Sequence, residues 1–204
     1  MKWTPLASAL LLAFSSTAHA EERTALQLHA DFFDMNADNW ITWSETYTGC
    51  RQLGFSTVSS SGLASAINLA LGAATNGSTW SIYIGDIHLG KHGSDTGVYD
   101  EDGAYVAAAF EALFTRYDAD GDDALSGSEF DALYAGQFTD TAGSLGSQAE
   151  FGLLMDLAGE IRTREVYSWW YGTTTESYEV LTRDTLESFY DGSLFYEIAG
   201  RPVP

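Results

Sequence analysis

DMNADNWITWSE, from Asp34 to Glu45, and DADGDDALSGSE, from Asp118 to Glu129, decide how this chain is read. Each twelve-residue stretch carries oxygen-bearing side chains at positions one, three, five, nine and twelve. In the first these are Asp34, Asn36, Asp38, Thr42 and Glu45; in the second they are Asp118, Asp120, Asp122, Ser126 and Glu129. Calcium takes six to eight oxygens at about 2.3–2.6 Å, with a backbone carbonyl at position seven, here Trp40 and Ala124. Position eight is apolar in both stretches, Ile41 and Leu125. Position six, commonly Gly because the turn is sharp, is Asn39 and Asp123, the non-Gly types that best tolerate a left-handed backbone. Thr42-x-x-Glu45 and Ser126-x-x-Glu129 are capping boxes that open a helix after each loop.

Outward from the loops, the spacing predicts helices over 22–33 and 43–54 around the first, and over 104–117 and up to about 134 around the second. Leu26, His29, Ala30 and Phe33 share one face of the first helix. Residues 62–74 are almost wholly apolar, with Asn68 the exception, and read as a buried or interfacial helix. WSIYI at 80–84 reads as a short strand, 85–103 as a glycine-rich loop and 139–148 as a surface connection. Further helices are expected near 148–158 and 183–190, with Tyr167, Trp169, Trp170 and Tyr171 between them. The expected fold is mainly α: two EF-hand helix–loop–helix units paired with each other, an inserted helical and loop segment, and C-terminal helices.

Composition narrows the class. Lys2, the apolar run Leu6–Phe14 and Ala18-His19-Ala20 read as a secretory signal over 1–20, with one domain over 21–204 and a secreted destination. The run is too short to span a bilayer. A formal net charge of −20 opposes nucleic acid and anionic membrane surfaces. Cys50 is alone, so no internal disulfide forms. Past the signal the histidines are His29, His88 and His92, and no Cys-x-x-Cys-His is present for covalent haem attachment.

LQLHADFFDMNADNWITWSETYTGCRQLGF (26–55), IYIGDIHLGKHGSDTGVYDEDGAYV (82–106) and YDGSLFYE (190–197) together resemble the caleosin family, over about Leu26 to Ala199. The resemblance implies a calcium-binding haem peroxygenase with non-covalent haem b and two Ca²⁺ sites. Such an enzyme transfers oxygen from a lipid hydroperoxide to unsaturated fatty acids or related lipids. It places the haem-linked histidines at His29, as proximal ligand, and His92 of the KHG triplet, as distal group or second ligand; His88 is the fallback for the second. Plant members carry a proline knot that targets lipid droplets, whereas no proline lies between Pro5 and Pro202 here.

On spacing alone His29 reads as a core histidine, and His88 and His92 as loop residues or a metal pair. Cys50, beside Arg51, is a weaker candidate for a thiolate ligand. Residues 62–84 and 167–171 are candidates for a substrate channel, with ordinary core the simpler reading. Two other functions stand beside the peroxygenase: a non-catalytic extracellular calcium-binding or lipid-surface protein, and a haem protein closed by two histidines. A Soret absorbance separates the first of these, and oxygen transfer from cumene hydroperoxide the second.

Overall fold

The computed structural model describes residues 22–91 and 95–204. The expected signal segment 1–20 lies outside them. The chain runs α1 (Ala25–Asp31), β1 (Trp40–Thr42), α2 (Trp43–Gln52), α3 (Thr57–Asn76), β2 (Ser81–Tyr83) and a 3-10 helix (Ile84–Gly90). It continues with α4 (Ala107–Tyr117), β3 (Ala124–Ser126), α5 (Gly127–Gly136), α6 (Thr141–Ala158), β4 (Glu160–Ser168), β5 (Gly172–Thr182), α7 (Arg183–Asp191) and α8 (Leu194–Ile198).

The mainly-α expectation is therefore wrong, because two antiparallel sheets are present, β1–β2 and β3–β5–β4. The large miss is the hairpin of β4 and β5, whose register runs from Glu160↔Val180 to Ser168↔Gly172. Its Thr, Tyr, Val and Ile residues suit strands, but the expected apolar alternation is missing because most of the ribbon is exposed on both faces. Residues 141–148, expected as a connection, are the first turns of α6.

Pairing of the two acidic loops with each other is also overturned. Ile41 stands opposite Ile82, and Leu125 opposite Leu181. Each apolar position eight thus meets an aliphatic partner on a strand that lacks calcium spacing. The first pair sits in a cluster with Ala30, Ile84 and Ile87. The second sits in a larger one with Phe110, Phe114, Phe130 and Phe189. Two half-cores are thus each built on one acidic loop, and among the described residues a third, smaller cluster holds Phe32, Leu53 and Tyr196.

Asn68 explains how α3 is fixed in the first half. Its side-chain amide donates to the carbonyls of Ile41 (3.1 Å) and Trp80 (3.3 Å), and its Oδ1 accepts from Thr46 Oγ1 (2.7 Å). The strongest polar residue of an apolar helix clips α3 to α2 and to both strands. At Gly72 the chain passes so close that an added Cβ would stand 2.3 Å from the Ser78 carbonyl oxygen. The C-terminal block returns to α1: Tyr196 donates to the Leu28 carbonyl (3.3 Å) and Arg201 to that of Phe32 (2.9 Å). Gly192, at φ +89°, would carry a Cβ 2.7 Å from the Ala25 carbonyl oxygen and 3.1 Å from the His29 nitrogen. Only glycine lets the turn after α7 rest on the helix that bears His29.

Candidate functional site

The two half-cores leave a cavity of about 560 Å³ between them. That is the size of a pocket for a small organic ligand or cofactor. Its N-terminal wall is α1 (Leu26, His29) with Phe33 just beyond it, and α3 (Leu63, Ile67, Leu71); its C-terminal wall is α6 (Leu153, Leu157) with Phe189 and Phe195. Of the 62–84 stretch, these α3 residues and Ile82 line the cavity. The 167–171 part is corrected: those side chains lie at the exposed tip of the β4–β5 hairpin.

Thr24 caps α1 through a full capping box with Gln27, and this fixes where His29 falls. The imidazole meets Phe195 edge-on at 4.2 Å between ring centroids and Phe189 at 5.0 Å. Burial lowers its pKa, against the opposing pull of the Glu150 charge and a hydrogen bond to the Phe189 backbone. A neutral ring that donates one N–H to a carbonyl keeps a lone pair on the other nitrogen. His29 is thus a neutral imidazole at the wall of an apolar cavity, the form that ligates a metal.

The other histidines stand differently. His88 is in the 3-10 helix and does not line the cavity. His92 lies outside the described residues; Lys91 and Asp95 on either side of it both line the cavity. Cys50 also faces the cavity, but burial pushes its thiol up to about 11.

Reasoning from sequence missed the polar end of this cavity. Tyr190 donates to Thr96 Oγ1 at 2.9 Å, and the Tyr99 ring lies 5.5 Å from the Tyr190 ring. Burial pushes both phenols well above their usual range, and the Glu150 carboxylate adds to the shift. Tyr190 was visible inside YDGSLFYE. Glu150 carries no local signal, since one carboxylate on α6 reads as a solvated face.

Both acidic loops fold as their spacing requires. Position six is left-handed in each, Asn39 at φ 67° and Asp123 at φ 57°. In the first, Asp34 accepts the N–H groups of Asp38 (3.3 Å) and Asn39 (2.8 Å), and Glu45 accepts those of Met35 and Thr42. In the second, Asp118 accepts the N–H groups of Gly121, Asp122 and Asp123, and Glu129 those of Ala119 and Ser126. Oxygens of Asp118, Asp120 and Glu129 converge within 4.8 Å of one another, a group able to hold a cation. Asp122, the fifth position, is instead turned to Arg162 on β4, with a 2.6 Å ion pair. Arg162 also donates to the Asp122 carbonyl at 2.9 Å.

Among the described residues no helix is long and apolar enough to cross a membrane. Residues 21–199 match the family model described as caleosin related protein. A probable peroxygenase 4 of Arabidopsis thaliana is 35% identical over 185 residues, covering 87% of both chains. A peroxygenase of Lilium longiflorum is 33% identical over 180 residues, covering 84% of this chain and 68% of its own. No solved structure matches the chain. With the matched span reaching from α1 through α8, the chain belongs to the caleosin family.

Proposed function

We propose that this protein is a secreted, calcium-binding haem peroxygenase that oxidises unsaturated fatty acids or related lipids with a hydroperoxide as oxygen donor. The observation that carries the reading is His29: an imidazole whose pKa is lowered by burial, set edge-on to Phe189 and Phe195 at the wall of an apolar cavity of about 560 Å³. The cavity volume, its aliphatic and aromatic walls and this imidazole fit haem b held without covalent attachment. Bound there, haem supplies the transfer of an oxygen atom from a hydroperoxide to a C–H or C=C bond.

The chain's own residues do the rest. His29 would hold the iron through a ring nitrogen. Phe189 and Phe195 hold the imidazole edge-on and exclude water beside it. Leu63, Ile67, Leu153 and Leu157 offer an acyl chain an apolar path. Glu150 and the hydroxyl pair of Tyr190 and Thr96 give the cavity its polar end. His92 would take the distal proton-shuttle role that the family resemblance assigns it. Asp34, Asn36, Asp38, Trp40, Thr42 and Glu45 hold one Ca²⁺; Asp118, Asp120, Asp122, Ala124, Ser126 and Glu129 hold the second, with the carbonyls of Trp40 and Ala124 at position seven.

The test is His29→Ala in the full chain, reconstituted with haemin. Loss of the Soret band and of cumene-hydroperoxide-dependent aniline hydroxylation, with far-ultraviolet circular dichroism unchanged, is expected. A variant that keeps the wild-type Soret band overturns His29 as ligand.

A further inference from the structure

The β4–β5 hairpin ends in side chains that folding does not explain. Tyr167, Trp169, Trp170 and Tyr171 are 70–84% exposed. Trp169, Trp170 and Tyr171 form the turn itself, between Ser168 and Gly172. Hairpin turns favour Gly, Asn and Asp, which adopt the required backbone cheaply. Three adjacent bulky rings at such a turn gain nothing from the core, and a contiguous aromatic patch of this kind marks a contact surface.

The arm that carries them stands clear of the body. No residue of β4 is buried, and in β5 only Val180 and Leu181, next to the β3 ladder, are. Each register from Glu160 to Ser168 is paired with β5, but both outer edges of the ribbon carry unpaired backbone groups, so only the tip, and not the length of the arm, suits an apolar medium. From Val166 to Thr175 the sequence is VYSWWYGTTT, without one charged side chain, in a chain of net charge −20. A narrow end of a two-stranded ribbon does not offer the broad face of a stable dimer.

We propose that the β4–β5 tip is a docking element that inserts into an electroneutral lipid–water interface. Trp and Tyr suit that boundary because each joins a large apolar ring to one N–H or O–H that stays wet. The uncharged tip can enter a zwitterionic headgroup layer, while the acidic body is repelled from anionic lipid. This surface is distinct from α3 and from the cavity, and the proposal does not rest on the haem chemistry.

The experiment is flotation of the full-length protein with phosphatidylcholine vesicles, beside the variant Trp169→Ser/Trp170→Ser/Tyr171→Asn. Wild type is expected to float with a blue-shifted tryptophan emission, and the variant to bind at least tenfold more weakly with an unchanged melting temperature. The single substitution Trp170→Ser, at the apex, is expected to give part of that loss. Vesicles with added phosphatidylserine are expected to bind wild type less well. Equal flotation of the triple variant, or no flotation of wild type, overturns the proposal. So does a wild-type dimer in sedimentation that the triple variant abolishes, since the occupant is then a second copy.

Discussion

At the residue scale, Arg162 shows how a side chain forty positions from an acidic loop adjusts it. Its guanidinium pairs with Asp122 Oδ2 and reaches the same residue's carbonyl. Asp122 is position five of the second loop, so a calcium ion bound there as proposed would compete with Arg162 for one carboxylate, and the two would be linked. The first loop has no equivalent: Asp38, at its position five, accepts from Asn36 and from the Trp40 N–H. Both members of the Arg162 pair are about 30% accessible, and such a pair contributes about 0.2–1 kcal/mol. Arg162→Ala is therefore expected to tighten cation binding at the second loop by about 1.4- to fivefold, and to leave the first unchanged. Terbium luminescence titration reads both sites, with Glu45→Ala or Glu129→Ala isolating each. Unchanged affinity at the second loop would remove Arg162 from the site.

At the element scale, the two loops reach the cavity by different routes. His29 is on α1, whose end runs directly into the first loop, and β1 joins β2 and the cavity-lining α3 through Asn68. The second loop is anchored in the larger core through Leu125↔Leu181 and does not adjoin α1. A cation in the first loop stiffens the helix that presents the imidazole. Glu45→Ala in calcium is thus expected to weaken haemin binding at least several-fold and shift the Soret band, whereas Glu129→Ala leaves the band in place. Equal effects of the two variants would mean that calcium acts only through global stability. Both loops were legible because their spacing is local: ligands, apolar eighth residues and capping boxes lie within twelve positions. Their partners were not, because Ile82 and Leu181 sit in strands with no calcium spacing of their own. The β4–β5 hairpin escaped for the opposite reason, having no buried face to impose an alternation. His29 was legible only through the family blocks, since a histidine on an apolar helix face is by pattern a core residue. Glu150 and the Tyr190–Thr96 contact depend on α6 and α7 closing the cavity, which no local pattern encodes.

At the scale of the whole molecule, folding raises the pKa of a set of acidic groups by burial, and three of them, Cys50, Tyr99 and Tyr190, line the cavity. Cys50 is pushed up to about 11, and Tyr105, Tyr134 and Tyr196 to about 12. Tyr99 and Tyr190 are raised further still. In the unfolded chain these thiol and phenol groups lose their protons near pH 9 and 10 respectively. Between those values and the raised folded ones, the native state holds protons that the unfolded state has released. Stability must then fall as pH rises through this window, and it is fully present below it. Cys50 alone, 2% exposed, is displaced enough to contribute about 2–3 kcal/mol of that loss by pH 11. The haem-free protein in calcium is expected to melt roughly 10 °C lower at pH 11 than at pH 8. Differential scanning calorimetry across pH 8–11 measures this, and Cys50→Ala should flatten the part of the curve between pH 9 and 10, where the phenols are still protonated in both states. A melting temperature constant from pH 8 to 11 would mean that the cavity admits enough water to titrate these groups as in the open chain, and so would count against the dry pocket on which His29 depends.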